Sequence, residues 1–137
     1  MEATLARELY QEHILDLFKH PHNLGKLATK THEHREYNAL CGDDITLQLQ
    51  VHDGKITSVK FFGRGCAISM ASASLVTDWL KGKTLEEASR LKAEEVIKML
   101  EIPIGPVRMK CALLPHTCAY YLVRGKEKPQ SETQLSR

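Results

Sequence analysis

The chain has 137 residues, a length that suits one domain with a single hydrophobic core. Its formal net charge of +2, with 26% charged residues, lacks the basic excess of nucleic-acid-binding proteins, so we expect no nucleic-acid partner. No stretch approaches the roughly 18 consecutive apolar residues of a membrane span, and the first residues lack a signal-peptide pattern. We therefore expect a cytoplasmic protein with no membrane partner.

The chain opens with a predicted amphipathic helix and a turn. Apolar residues recur at helical spacing over residues 2–19, and Pro21 prevents the helix from continuing. Residues 20–25 are rich in turn formers and carry two histidines. Histidines in such loops are usually solvated, and we expect that here rather than metal binding.

The polar segment 29–37 is predicted to form an edge strand. His32 and His34 would lie on the same face of that strand, an arrangement compatible with a metal ion. An exposed edge strand with polar side chains explains the pair more simply.

A β-hairpin follows, with strict alternation of apolar and polar residues over 44–52. Asp53-Gly54 is a two-residue hairpin turn signal, and a second strand returns over 55–62. Alternation predicts that the first strand is buried on one face only. Because an antiparallel hairpin brings its outer ends together, Cys41 and Cys66 are expected to become neighbours.

Helices dominate the rest of the chain. Small residues crowd the first turns of the helix predicted over 67–81, which would let another element approach closely. A proline within the last predicted helix is expected to bend it or delay its start. The four helices span 67–81, 84–90 with a capping box at Thr84–Glu87, 93–100, and 107–123 with Pro115 inside it.

Strands that precede helices predict an α+β domain, with a three-stranded antiparallel sheet and helices packed on one face. This single domain is expected to span residues 1–124. The remaining residues, 125–137, show no periodicity and few apolar side chains, which predicts a disordered tail.

Gly63-Arg64-Gly65-Cys66 marks the passage from a strand into a helix. The two glycines permit backbone geometries that residues with a Cβ do not adopt, so Cys66 can be presented outward. At a helix N-terminus, unpaired amides and the helix dipole favour a thiolate. The alternative is a buried free cysteine at a tight turn.

Three of the four cysteines fall at boundaries between predicted elements, where side chains can converge. Cys41, Cys66 and Cys111 are 25 and 45 residues apart, which excludes a local zinc knuckle or ferredoxin pattern. Asp43 can offer a carboxylate oxygen at the same point as Cys41. We interpret these four residues as an exposed, exchangeable site for zinc or for the iron of a sulfide cluster, formed only after folding.

The other polar candidates are given lesser roles. Cys118 lies two helical turns after Cys111, about 10 Å along the axis, and is expected in the core. Asp44 and His116 are expected to be solvated, with His116 as the reserve ligand.

The chain from about residue 5 to 123 resembles the U-type scaffold family of iron-sulfur cluster assembly, which comprises IscU, SufU and the N-terminal domain of NifU. Residues 38–43, Asn-Ala-Leu-Cys-Gly-Asp, resemble its N-P-x-C-G-D motif, and residues 63–69 resemble G-x-G-C-A-I-S. Cys111 falls where the third cysteine belongs. The resemblance implies a site of three cysteines and an aspartate, a pyridoxal-phosphate cysteine desulfurase as sulfur donor, and zinc in the site when no cluster is bound.

The chain also departs from both branches of that family. Ala39 replaces the proline, and Lys110 replaces the histidine of IscU, as in SufU, whereas the short interval between Cys66 and Cys111 is similar to that of IscU. Residues 104–108, Ile-Gly-Pro-Val-Arg, keep two of the five residues of the L-P-P-V-K segment that the dedicated Hsp70 chaperone grips in IscU. We therefore do not expect that chaperone as a partner.

Three functions remain open from the sequence. The first is a scaffold that receives sulfur, binds iron or zinc and a transient [2Fe-2S] cluster, and passes the cluster to acceptor proteins. The second is an enzyme-like, zinc-dependent sulfurtransferase in which Cys111 accepts a persulfide from the desulfurase. The third is a structural zinc domain, which would unfold on chelation.

Overall fold

The computed structural model describes residues 12–125. Its first helix, α1, occupies residues 12–19 of the predicted 2–19, and residues 2–11 lie outside the described part. The predicted tail beyond residue 125 lies outside it as well. The other elements are β1 (His32–Asn38), β2 (Asp43–His52), β3 (Lys55–Arg64), α2 (Ala67–Leu80), α3 (Leu85–Ala88), α4 (Ala93–Leu100) and α5 (Pro106–Arg124).

The three strands form one antiparallel sheet in the order β1-β2-β3, with helices packed against it, which confirms the predicted α+β class. Asp53 and Gly54 both adopt positive φ, 51° and 75°, as a two-residue turn of type I′ requires. The register places Asp44 opposite Arg64. The end of β3 therefore lies beside the start of β2, which places Cys66 close to Asp43.

The central strand β2 is buried on both faces, and the prediction of a half-buried strand is wrong. Ile45, Leu47 and Leu49 are fully buried in the core that β2 shares with the helices. On the other face Gln48 is only 3% exposed. Its side-chain oxygen accepts a hydrogen bond from the Leu27 amide at 2.7 Å, so the segment before β1 covers this face.

The edge strand β1 also differs from its prediction. His34 pairs with Leu47, and Glu36 pairs with Ile45, so both polar side chains share the face of the buried β2 residues. His34 Nε2 lies 2.9 Å from a Glu36 carboxylate oxygen, and its ring lies 5.6 Å from that of Tyr121 on α5. These polar residues are therefore packed beneath a helix instead of exposed at the edge.

The turn after α1 is fixed to α2 and β3. His22 Nδ1 lies 2.7 Å from an Asp78 carboxylate oxygen, so His22 is paired and not simply solvated. The Asn23 side-chain amide donates to Thr77 at 2.8 Å, and the Asn23 carbonyl accepts from the Phe61 amide at 2.9 Å. These bonds tie the turn to the body of the domain.

Helices α2 and α5 pack closely, as the small residues predict. The Ser72 hydroxyl donates to the Ala112 carbonyl at 2.6 Å. The predicted capping box is confirmed, since Thr84 and Glu87 each accept a hydrogen bond from the other's backbone amide. Helix α5 begins before Pro115 and continues through it, so of the two expected effects of Pro115, a bend or a delayed start, the delayed start is wrong. None of the described helices is long and apolar enough to cross a membrane.

We predict that Gly63→Ala destabilises the domain by about 2–4 kcal/mol, as measured by urea unfolding. Gly63 has φ +135°, and a Cβ there would overlap the carbonyl oxygen of Asp44 on β2. Gly82→Ala is the matched control, because Gly82 has φ +79° but open space around its Cα. The control is expected to lose only about 1 kcal/mol. Equal losses would show that the close approach at Gly63 is not present in solution.

Candidate metal centre

Cys41 is carried by a four-residue loop between β1 and β2. The residues that flank the loop, Asn38 and Asp43, are directly paired in the sheet. Gly42, at φ +74°, donates its amide to the Asn38 carbonyl at 2.8 Å, and the Asn38 side-chain oxygen accepts from the Leu40 amide at 3.1 Å. This hydrogen-bonded turn leaves Cys41 exposed at its tip.

Cys66 is the N-cap residue of α2, as predicted. Its amide donates to Asp43 Oδ1 at 2.9 Å, and its sulfur lies 3.8 Å from the Ser69 hydroxyl. Gly65 is needed for this approach because a Cβ there would overlap the Ser69 hydroxyl and lie 3.0 Å from Asp43 Oδ1. The glycine before the cysteine thus lets the aspartate reach the start of the helix.

Cys111 lies in the second turn of α5 and is fully buried. Burial raises the pKa of its thiol, and the neighbouring Asp43 and Cys41 side chains and the charge of Cys66 raise it further. A thiol in this environment remains protonated at neutral pH unless a cation replaces its proton.

Three of the four predicted ligands converge. One possible ligand atom from each of Cys41, Asp43 and Cys111 lies within 4.8 Å of the other two. The Cys66 sulfur is not part of this group, although the Cys66 amide contacts Asp43 directly. In the part of the chain that the structure describes, these residues form the only such group of three or more.

The donor set fits a soft cation. Asp43 is 1% exposed, and its Oδ2 has no hydrogen-bond partner among the described residues. A buried carboxylate oxygen without a partner is costly unless a cation completes its surroundings. Two thiol groups beside that oxygen match the ligand preferences of zinc and of iron in sulfide clusters.

The group is less exposed than the sequence predicts. Cys41 is exposed, whereas Asp43 and Cys111 are both buried. The difference arises because Asp43 belongs to the buried strand β2 and Cys111 lies on a buried position of α5, so both side chains are covered by packed elements. Access to the group is therefore on the side of the Cys41 loop.

The fourth cysteine and His116 have structural contacts. Cys118 is fully buried, as predicted, and its sulfur lies 3.0 Å from the His34 carbonyl oxygen. His116 Nε2 lies 2.7 Å from the Leu91 carbonyl oxygen, so this histidine is neither solvated nor a member of the ligand group.

Asp44, next to Asp43, points elsewhere. It accepts two hydrogen bonds from Arg35 at 2.7 and 2.8 Å, and these bonds lower the pKa of its carboxyl group. The expectation of a simply solvated Asp44 is therefore wrong. Lys110, which precedes Cys111, is exposed.

Asn38 is a residue of the site to which the sequence assigned no role beyond its place in the N-P-x-C-G-D-like segment. It is 2% exposed, and its side-chain nitrogen has no hydrogen-bond partner among the described residues. The available signal was its position three residues before Cys41 and five before Asp43. Its opposition to Asp43 becomes visible only in the sheet register.

Comparison with known proteins gives concordant results. The family model for the NifU-like N-terminal domain matches residues 9–124. The scaffold protein IscU of Haemophilus influenzae is 38% identical over 109 residues, which cover 77% of this chain and 85% of that protein. Iron-sulfur cluster assembly protein 2 of Arabidopsis thaliana is 34% identical over 138 residues, covering 96% and 82%.

A similar fold is found in a solved structure of SufU from Fervidobacterium islandicum AW-1, described as an iron-sulfur cluster assembly scaffold protein for the SUF system. The two structures superpose with a TM-score of 0.74 and 30% sequence identity. The match covers 85% of this chain and 98% of the other.

We predict that iodoacetamide labels Cys111 of the metal-free protein more than about tenfold more slowly than Cys41, because Cys111 is buried and holds its proton. Peptide mass spectrometry after timed quenching would measure both rates. Cys118, also buried, is the internal reference for an inaccessible thiol. In urea all four thiols should react at similar rates. Equal rates at Cys41 and Cys111 in the folded protein would contradict the burial of Cys111.

Proposed function

The chain belongs to the NifU-like N-terminal domain family, and from that membership we propose that it is a scaffold on which iron-sulfur clusters are assembled. The observation that carries the proposal is the convergence of Cys41, Asp43 and Cys111 within 4.8 Å. The cluster is cargo in this proposal: it is built at the site and then passed to an acceptor protein.

We assign four ligands, with Cys66 completing the group. The Cys66 amide already contacts Asp43, so its sulfur needs to turn from Ser69 toward the other ligands. Three thiolates hold iron or zinc firmly, whereas a carboxylate holds a soft cation less tightly. Asp43 is therefore the ligand most easily displaced when a transient [2Fe-2S] cluster leaves.

The proposed partners follow from this role. A cysteine desulfurase would supply persulfide sulfur, and proteins that lack their cluster would accept the product. Leu40 and Val107 are 79% and 81% exposed, and they lie next to Cys41 and one turn before Cys111, respectively. Such exposed apolar side chains close in sequence to two of the proposed ligands suit protein partners. The altered segment at 104–108 argues against the dedicated Hsp70 chaperone.

A second candidate function is zinc-dependent sulfur transfer. Lys110 before Cys111 and the similarity to a SufU structure favour it. In this reaction the Cys111 thiolate attacks the outer sulfur of the desulfurase persulfide, and the desulfurase thiolate leaves, with no net oxidation. Because Cys111 is buried, its sulfur first has to become accessible when the ligand set rearranges.

A structural zinc domain is the third possibility, and the core argues against it. The larger cluster of buried apolar residues joins β2 and β3 to α2, α3, α4 and α5, and it does not contain Cys41 or Asp43. A core of this extent does not depend on a metal for folding. The site is therefore free to bind and release its cation.

We predict that Asp43→Ala slows transfer of a reconstituted cluster to an apo-ferredoxin about tenfold, because alanine supplies no ligand and the easily displaced carboxylate that lets the cluster leave is lost. Loss of the cluster's visible circular dichroism on the scaffold, and its gain on the ferredoxin, would measure the rate. Asp43→Asn separates the two roles of the side chain, since it keeps an oxygen for the Cys66 amide. Asp44→Ala is the matched control outside the site. Unchanged transfer in Asp43→Ala would contradict the assigned role of Asp43.

Anaerobic incubation with ferrous iron, cysteine and a desulfurase separates the two main candidates. A dithiol is added in the chromophore assay to reduce persulfide sulfur to sulfide, and it is left out of the mass-spectrometry assay. A scaffold is expected to develop a stable visible chromophore that requires Cys41, Cys66 and Cys111. A sulfurtransferase is expected to gain one sulfur at Cys111, detected by mass spectrometry, and to stimulate the desulfurase without a chromophore. Cys118→Ser is the control and should leave either result unchanged. A chromophore that survives Cys111→Ser would contradict the proposed ligand set.

A further inference from the structure

Asn38 and Asp43 form the pair that closes the Cys41 loop. They occupy directly opposite positions of β1 and β2. Side chains at such positions lie on the same face of a sheet, with Cβ atoms about 4.5–5.5 Å apart. Both residues are almost completely buried, at 2% and 1% exposure.

Each residue of this pair leaves one buried polar atom without a hydrogen-bond partner in the described part of the chain. The atoms are Nδ2 of Asn38, a donor, and Oδ2 of Asp43, an acceptor. The other atom of each side chain is in use, since Asn38 Oδ1 accepts from Leu40 and Asp43 Oδ1 accepts from Cys66. The two unpaired atoms are therefore chemically complementary.

A bound cation explains only one of these atoms. A carboxylate oxygen such as Asp43 Oδ2 can ligate a metal, but the nitrogen of a side-chain amide donates hydrogen bonds and does not serve as a ligand. A buried donor left without an acceptor is costly. Asn38 Nδ2 therefore needs an acceptor in at least one state of the site, and the opposite acceptor is Asp43.

We propose that Asn38 is a positioning residue that receives the Asp43 carboxylate when Asp43 leaves the metal. The inference rests on the proposed function, because it assumes that Asp43 is the labile ligand. In the ligand-ready arrangement seen here, Oδ2 is free for a cation and the Asn38 amide is unpaired. When the cation departs, rotation of the Asp43 side chain lets Oδ2 accept from Asn38 Nδ2, which compensates the buried charge.

When Asp43 Oδ2 exchanges the cation for Asn38 Nδ2, the free-energy cost of releasing the cation is lowered. Without the Asn38 amide, a departing Asp43 would be a buried carboxylate whose second oxygen has only the Cys111 thiol, a weak donor, beside it, which is expensive. The state with metal bound gains nothing from Asn38 Nδ2. Asn38 therefore favours the metal-free state, and its removal should make the site release a cation more slowly.

Cobalt(II) is a suitable probe because thiolate ligation gives it a charge-transfer band in the near ultraviolet. We expect Asn38→Ala to slow transfer of Co(II) to a chelator about tenfold, the equivalent of one hydrogen bond to a charged group. In the Asp43→Ala background the same substitution should have no effect, because its target is absent. Asn38→Ser keeps an oxygen that can accept from the Leu40 amide, so it is the control for a loss of the Cys41 loop structure.

A merely structural Asn38 predicts a different result. If its only role is to hold the Leu40 amide, Asn38→Ala should speed Co(II) release to the same extent with or without Asp43. That outcome, or an equal slowing in both backgrounds, would overturn the inference.

A second measurement needs no metal. In metal-free protein, urea unfolding of the single and double variants of Asn38→Ala and Asp43→Ala should show a coupling of about tenfold in the unfolding constant. Strict additivity would overturn the inference. Failure of the proposed function would give a different result. The unsubstituted chain would then show no thiolate-to-Co(II) band, whether or not Asn38 and Asp43 are coupled.

Discussion

One hydrogen bond, from the Cys66 amide to Asp43 Oδ1 at 2.9 Å, holds the candidate site together. It joins the first residue of β2 to the N-cap of α2, two points that the hairpin brings into register. A carboxylate at a helix N-terminus satisfies an otherwise unpaired amide and complements the helix dipole. The same bond fixes Asp43 so that its second oxygen remains available to a cation. Because a buried carboxylate oxygen without a partner is unfavourable, this arrangement favours the binding of a metal ion at Asp43.

The other proposed ligands reach this point through packing. Cys111 is positioned because α5 approaches α2 closely, with the Ser72 hydroxyl bonded to the Ala112 carbonyl. Cys41 is positioned by a short loop that begins and ends on neighbouring strands. The resulting group has one accessible thiol and one thiol in the interior. This difference in exposure suits a site that exchanges a bound cation on its accessible side, while the packed interior keeps the positions of the side chains fixed.

Local patterns predicted much of this architecture, and long-range packing accounts for what they missed. The hairpin turn at Asp53-Gly54, the capping box at Thr84 and the glycines before Cys66 are local rules, and the structure confirms them. The burial of His34 and Glu36 depends on which face α5 covers, and alternation along one strand does not reveal that. The pairing of His22 with Asp78 joins residues far apart in sequence. Asn38 was missed for the same reason, since its significance lies in the residue opposite.

The passage of α5 through Pro115 has a consequence for the helix around the ligand cysteine. Proline lacks an amide hydrogen, so the carbonyl of Cys111, four residues earlier, has no α-helical donor. The helix therefore lacks one backbone hydrogen bond at Cys111, one of the proposed ligands. Local opening of the first turns of α5 therefore costs less free energy than in an uninterrupted helix. The later turns of α5 remain packed in the core.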